Sequence, residues 1–319
     1  MKLSRSTWLS ILLGVAYGVT LRLLMAVPNL EFSGLVSISF FVIVPIATGF
    51  IVVITGDPAR SRRLKYAFFA PWIAVLCFLL TTAILMLEGA VCIGLALPGF
   101  LVLSSLGGLA ACWLVRRDLP KAGALYCVIA LPLLLSPVES MLPVDASVDT
   151  VVTRVTIVAP PDVVWKHITD VGHIDRNELS FGLTRLLGMP QPLEAHMEIA
   201  PSGWVRNTRW ERGVSFREII TEHREGAALH WTFDFPPSAV PEGILDEHVQ
   251  IGGRYFALLD GGYSLEPDGK GATRLTIRTT YQVSARPALY SRYWARLIMS
   301  DFHRVILNLI RDRSERSAG

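Results

Sequence analysis

Between residues 7 and 138 the chain runs through long apolar segments that charged residues barely interrupt. One small water-soluble core cannot absorb so much apolar surface. These segments must therefore face lipid or one another, and this constrains the fold before anything else does. A helix needs about 20 apolar residues to cross the hydrocarbon layer. Five stretches reach or approach that length: Thr7 to Val27, broken only by Arg22; Ser33 to Thr55; Tyr66 to Leu87; Ala90 to Val115; and Ala122 to Val138, the shortest, which contains Pro132 and Pro137. Lys2 and Arg5 precede the first stretch as they would in a signal peptide. No small-x-small cleavage site follows, and further spans do, so the stretch reads as a retained anchor.

Loop lysines and arginines orient such a bundle. Nine basic residues fall on one set of connections: Lys2 and Arg5, then Arg60, Arg62, Arg63 and Lys65, then Arg116, Arg117 and Lys121. The alternate loops, Pro28 to Phe32 and Leu87 to Gly89, carry Glu31 and Glu88 and no basic residue. The basic side is expected to be the cytoplasm. Five crossings then put everything after residue 140 outside, which for a bacterial inner-membrane protein is the periplasm. Gly14 and Gly18 form a GxxxG, a spacing that lets helices approach closely, and packing within the chain is the expected use. Glu88 and Glu139 stand at the outer ends of spans. They read either as solvated edge residues or, with Arg22, as a polar site at the membrane edge.

After residue 140 the texture becomes that of an ordinary globular protein, so the 319 residues divide into a transmembrane region, 1–140, and a soluble domain, 145–319, long enough for its own core. A net charge of +3 with no basic stripe argues against nucleic-acid binding. The four cysteines, Cys77, Cys92, Cys112 and Cys127, all lie in apolar runs, so neither a disulfide framework nor a cysteine zinc site is expected.

Ser140 to Asp149 reads as a linker. Val151, Thr153, Val155 and Ile157 alternate as a strand does. Ala159-Pro-Pro-Asp162 then starts a helix, since proline is tolerated in the first turn and an acid suits the positive end of the dipole. A second helix is predicted over Arg176 to Leu187, ended by Gly188 and Pro190. Strands are predicted over His196 to Ala200, Trp204 to Arg212, Val214 to Arg224, Ala228 to Phe235, Arg254 to Glu266 and Thr273 to Ser284. Turn signals separate them at Pro201-Ser-Gly203, Arg212-Gly213, Glu225-Gly226 and Pro267-Asp-Gly269, and a Pro/Gly-rich loop covers 236–252. From Pro287 to about Arg313, apolar residues recur every three or four positions. That is one stripe on a long helix. A wide apolar stripe needs a cover, and a curved antiparallel sheet supplies one.

This order of elements resembles the α+β helix-grip fold of the START-like (SRPBCC) superfamily, which includes polyketide cyclases and lipid-transfer domains. The resemblance rests on Val155-Thr-Ile-Val-Ala-Pro-Pro-Asp-Val-Val-Trp165, on Ile168-Thr-Asp170 and on the closing helix after Tyr281-Gln-Val-Ser284. It covers about residues 150–313 and extends, with the spans, to a membrane-anchored bacterial subset. It implies a cavity between sheet and helix. Trp210, Phe216, Trp231, Phe233, Tyr255, Tyr263, Tyr281, Trp294, Ile298 and Phe302 are the candidates to line it, against the plainer reading that they are core.

Polar candidates are Arg209, Glu211, Glu218, Arg254, Asp301 and His303. Asp301 beside His303, with Glu211, would suit acid–base chemistry, unless Asp301 merely pairs with Arg296 or Arg304 on the helix surface. The seven histidines form no HExxH or other ligand spacing, and Asp246-Glu-His248 reads as solvated loop charge, so no metal is expected. With no GxGxxG, P-loop or GxSxG, no nucleotide cofactor or serine nucleophile is expected either. The missing metal and nucleotide motifs favour a membrane-anchored binding protein whose extracytoplasmic domain holds a membrane lipid or other hydrophobic molecule; the alternatives are a cyclase- or dehydrase-like enzyme and a sensor or assembly protein that binds another protein.

Overall fold

The computed structural model describes residues 4–25, 37–144, 146–201, 203–245, 247–269 and 271–319. Lys2, Glu31, the Pro28–Phe32 loop, Ser202 and Asp246 lie outside them. The chain forms two units: Met1–Asp145 with Ala285–Leu289, and Ala146–Ser284 with Tyr290–Gly319.

In the first unit the apolar stretches are helices. They are α1 (Arg5–Met25), a π-helical turn (Ser39–Ile43) running into α2 (Val44–Ile54), a short α3 (Pro58–Ser61), α4 (Leu64–Ile84), α5 (Ala90–Arg116) and α6 (Lys121–Ser140). Among the described residues, four helices, α1, α4, α5 and α6, are long and apolar enough to cross a membrane. The stretch expected at Ser33 to Thr55 is a shorter apolar helix, Ser39–Ile54. At 1.5 Å per residue it is about 24 Å long, and residues 33–36 lie outside those described. Almost every residue of α2 is buried.

Glycines explain how α2 is held. A Cβ on Gly49 would fall 1.9 Å from the Ser104 carbonyl oxygen, and one on Gly107 would fall 1.9 Å from that of Ile46. The backbones of α2 and α5 touch there. Gly14 meets Val52, Thr48 and Ala74, and Gly18 meets the Phe78 ring, so the GxxxG of α1 packs against α2 and α4 of the same chain.

In the second unit β1 (Ser147–Ile157), α7 (Pro161–Thr169) and α8 (Leu183–Leu186) precede six strands. These are β2 (Pro192–Ala200), β3 (Gly203–Trp210), β4 (Ser215–Arg224), β5 (Ala228–Asp234), β6 (Phe256–Pro267) and β7 (Thr273–Val283); α9 (Ala288–Ala318) closes the chain. The sheet is antiparallel throughout, in the order β1-β7-β6-β5-β4-β3-β2. Its inner face packs on the apolar stripe of α9: Leu229, Trp231, Tyr263, Leu265, Leu275 and Ile277 meet Leu307 and Ile310, with α7 contributing Val164, Trp165 and Ile168. A seven-stranded sheet holding a long terminal helix is the helix-grip layout.

Two expectations fail locally. Arg176 to Leu187 is not a helix; only Leu183–Leu186 is helical. Tertiary bonds outcompete its propensity. The Glu178 carboxylate accepts from the Asp175 N–H and pairs with Arg313 and Arg316 of α9. Gly182 lets Asp301 come close, since a Cβ there would lie 2.5 Å from an Asp301 oxygen. The linker also ends early. β1 begins at Ser147 because it pairs with β7 along its whole length.

Candidate functional site

The inner face of the sheet carries an ion pair that the sequence reading missed. Arg206 on β3 and Glu218 on β4 are directly opposite in the strand register. Their side chains are 5% and 7% exposed and form a salt bridge. The guanidinium also donates to the Ile168 carbonyl at the end of α7. It lies 4.7 Å from the Trp231 ring centre and 5.7 Å from that of Tyr263, distances at which a cation is attracted to an aromatic face. Burial pushes the Glu218 carboxyl above its ordinary range, against the pull of Arg206. Burial likewise raises the Tyr263 phenol to about 12, so it is neutral.

Glu218 was among the polar candidates, whereas Arg206 was not. The signal was there in the alternation of β3, which places Arg206 on the same face as Thr208 and Trp210.

The aromatic candidates fall into groups. One is a connected run. The Phe302 ring lies 5.4 Å from Trp210, Trp210 lies 5.9 Å from Phe216, Phe216 lies 5.9 Å from Phe233, and Phe233 lies 6.1 Å from Trp231. Trp231 in turn is 5.3 Å from Tyr263. Edge-on and tilted contacts of this kind suit the ring quadrupoles. Tyr281 packs on Phe256 and Tyr255 on His248. Ile298 is buried on α9. Phe302 and Trp294 differ in their ring contacts: Phe302 meets Trp210 of β3, whereas Trp294 meets Tyr290 and Tyr293 of its own helix.

Several buried polar atoms of this unit lack a partner among the described residues: the indole nitrogens of Trp231 and Trp294, Gln191 Oε1 and Ser314 Oγ. Trp231 lies across Gly261, where a Cβ would be 2.8 Å from the indole nitrogen.

The three acid–base candidates do not form a pair. Asp301 is buried, and its Oδ2 accepts from the Thr184 N–H at 2.8 Å and the Thr184 hydroxyl at 2.9 Å. It is thus neither surface-exposed nor joined to His303. His303 is 1% exposed and lies between two hydroxyls, Thr153 at 3.1 Å from Nδ1 and Thr279 at 2.9 Å from Nε2. Burial lowers its pKa to about 4, so the ring is neutral near pH 7. Glu211 sits in the turn after β3, where it accepts from the Gln191 N–H at 3.2 Å and faces Arg176 at 3.6 Å. Of the remaining polar candidates, Arg209 pairs with Glu194 at the surface and Arg254 lies against Tyr255.

In the first unit each edge carboxylate has partners. Glu88 receives Arg22 Nε at 2.7 Å. Glu139 accepts the N–H groups of Ile38 and Ser39 and the Ser39 hydroxyl, which satisfies the start of the π-helical turn. Arg286, from the segment between β7 and α9, donates to the carbonyls of Glu139, Leu142 and Pro143.

No protein-family model matches the chain, and no curated protein matches it. Solved structures do. A protein of unknown function from Staphylococcus aureus is 11% identical, with 55% of this chain and 98% of that one covered and a TM-score of 0.36. A point mutant of Thalictrum norcoclaurine synthase is 14% identical, covering 55% and 99%, with a TM-score of 0.34. An aromatase/cyclase from a Streptomyces species is 12% identical, covering 54% and 96%, also with a TM-score of 0.34. At these scores and identities the likeness assigns neither family nor activity.

Proposed function

We propose that this chain is a membrane-anchored binding protein, of START-like type, whose second unit holds a lipid or other apolar molecule against the inner face of its sheet, beneath α9. One observation carries the reading. The rings from Phe302 through Trp231 to Tyr263 form a continuous apolar track under the helix, and within it lies a buried indole N–H, that of Trp231, that has no partner among the described residues. Apolar walls with a few placed polar groups are the usual makings of a small-molecule site. The engagement of Asp301, His303 and Glu211 with backbone and hydroxyl groups favours binding over acid–base catalysis.

The first unit supplies the anchor in this proposal. The basic connections fall on one side only if the short buried helix Ser39–Ile54 counts as a crossing. Five crossings then make the second unit extracytoplasmic.

Native mass spectrometry of the full chain released from detergent tests the binding reading. A co-purified apolar molecule at one per chain is expected. A chain that emerges bare from several mild detergents, and whose tryptophan fluorescence ignores added lipid extract, overturns it.

A further inference from the structure

The charge balance of the inner face restricts what the track can hold. Among the described residues of the second unit, Arg206 is the only arginine or lysine that is fully buried. Its charge is already matched by Glu218, and its remaining contacts are the Ile168 carbonyl and two aromatic faces. A second buried carboxylate, Asp301, lies beside Phe302 on α9 and is held by neutral donors alone. His303 adds no charge near pH 7, because burial holds its pKa to about 4. Among its described residues, the interior of this unit therefore holds one cation against two carboxylates. A buried anion without a matching cation is strongly disfavoured.

In the second unit, the buried polar atoms without a partner among the described residues are all neutral. Two of them, the indole nitrogens of Trp231 and Trp294, can only donate. An unpaired buried donor is relieved by an acceptor, and a neutral oxygen is sufficient. Trp231 stands in the aromatic track between Phe233 and Tyr263, and its ring face is taken by Arg206. The N–H edge over Gly261 is thus the polar feature that an apolar molecule lying along the track would meet.

We infer that the ligand is uncharged: an apolar body bearing a neutral hydrogen-bond-accepting oxygen (a ketone, ester or alcohol) seated at the Trp231 indole, and not a fatty-acid carboxylate or a phosphate headgroup. This rests on the ligand-binding reading above and narrows it to a chemical class.

The test is equilibrium binding of three radiolabelled probes of matched length, 2-hexadecanone, hexadecanoate and hexadecane. The full chain is used in one detergent at pH 8, where the acid is ionised. The ketone is expected to bind at least about tenfold tighter than the carboxylate and about fivefold tighter than the alkane. Trp231→Phe keeps a ring and removes the donor. It should bring the ketone to within about twofold of the alkane and leave alkane binding unchanged. Glu218→Gln leaves Arg206 without its counter-charge and should raise hexadecanoate affinity at least about tenfold. Carboxylate binding equal to or tighter than the ketone in the unaltered chain overturns the inference while the ligand-binding reading stands. So does an undiminished ketone advantage in Trp231→Phe. If none of the three probes binds, both readings fall.

Discussion

Arg206 and Glu218 face each other across β3 and β4 as an ion pair shut away from solvent, and the same guanidinium caps the last turn of α7 through the Ile168 carbonyl. One side chain thus ties a helix end to the sheet at the β3–β4 pair. Removing one partner of a buried pair leaves an uncompensated charge, at about 3–5 kcal/mol. Arg206→Met is expected to lower the stability of the full chain in detergent by that order, read by chemical denaturation. The double variant Arg206→Met, Glu218→Met should recover most of the loss. A single variant as stable as the unaltered chain would show that the pair contributes little.

Two groups of this unit should give separate acid transitions. His303 is neutral and buried, with a folded pKa of about 4 against an ordinary 6.5. Between those values the unfolded chain binds a proton that the folded chain does not. Its contribution is complete above pH 6.5 and is lost as pH falls toward 4, on the order of 3 kcal/mol. Glu178 is held at about 2 by its hydrogen bond to Arg313, with help from Arg316. Its contribution is present above 4.5 and is lost as pH falls toward 2. Unfolding free energy measured from pH 8 to 3 should slope downward first below 6.5. His303→Asn should remove that first slope and leave the lower one. An identical slope in the variant would place the titration elsewhere.

Asp301 is expected to act as an anchor for α8. Asp301→Ala frees the Thr184 N–H and hydroxyl in a buried place, costing about 1–3 kcal/mol. Gly182→Ala should do comparable damage from the other side, because its Cβ would lie 2.5 Å from the same carboxylate. Hydrogen exchange at Thr184 should quicken in both. If exchange is unchanged while stability falls, the Asp301–Thr184 bonds are not the cause.

The α2–α5 crossing admits no side chain at Gly49 or Gly107. Gly49→Ala and Gly107→Ala should each part the two backbones and reduce the thermal stability of the bundle in detergent. Gly123→Ala, where a Cβ meets nothing, serves as the control. Equal melting of all three variants would argue against backbone contact at the crossing.

An alkaline phosphatase fusion after residue 319 is expected to be active and a green fluorescent protein fusion dark. Moving both reporters to the Arg60–Lys65 connection should reverse the pattern. A dark phosphatase at the C-terminus would mean that Ser39–Ile54 does not cross.

What the sequence by itself determined is whatever neighbouring residues decide together. Long uncharged runs become helices because an apolar backbone must satisfy its own hydrogen bonds, and α1, α4, α5 and α6 follow from length and composition alone. Period-two alternation, broken by Gly226 and Gly269 in turns that need positive φ, places the strands. The stripe on α9 announces that a sheet must cover it. The tertiary structure alone decided which distant residues meet. Arg206 becomes a buried cation only because the β3–β4 register sets Glu218 opposite it, and a shift of one residue would turn it outward. The sequence offered ten apolar candidates, but their division into a six-ring track, Tyr281 on Phe256, Tyr255 on His248, and Trp294 and Ile298 on α9 depends on how α9 lies across the sheet. Residues 176–187 have helical propensity, yet Arg313, Arg316 and Asp301, more than 100 positions away, draw them into another shape. Local propensity amounts to tenths of a kcal/mol per residue, and a few buried or networked polar bonds outweigh it.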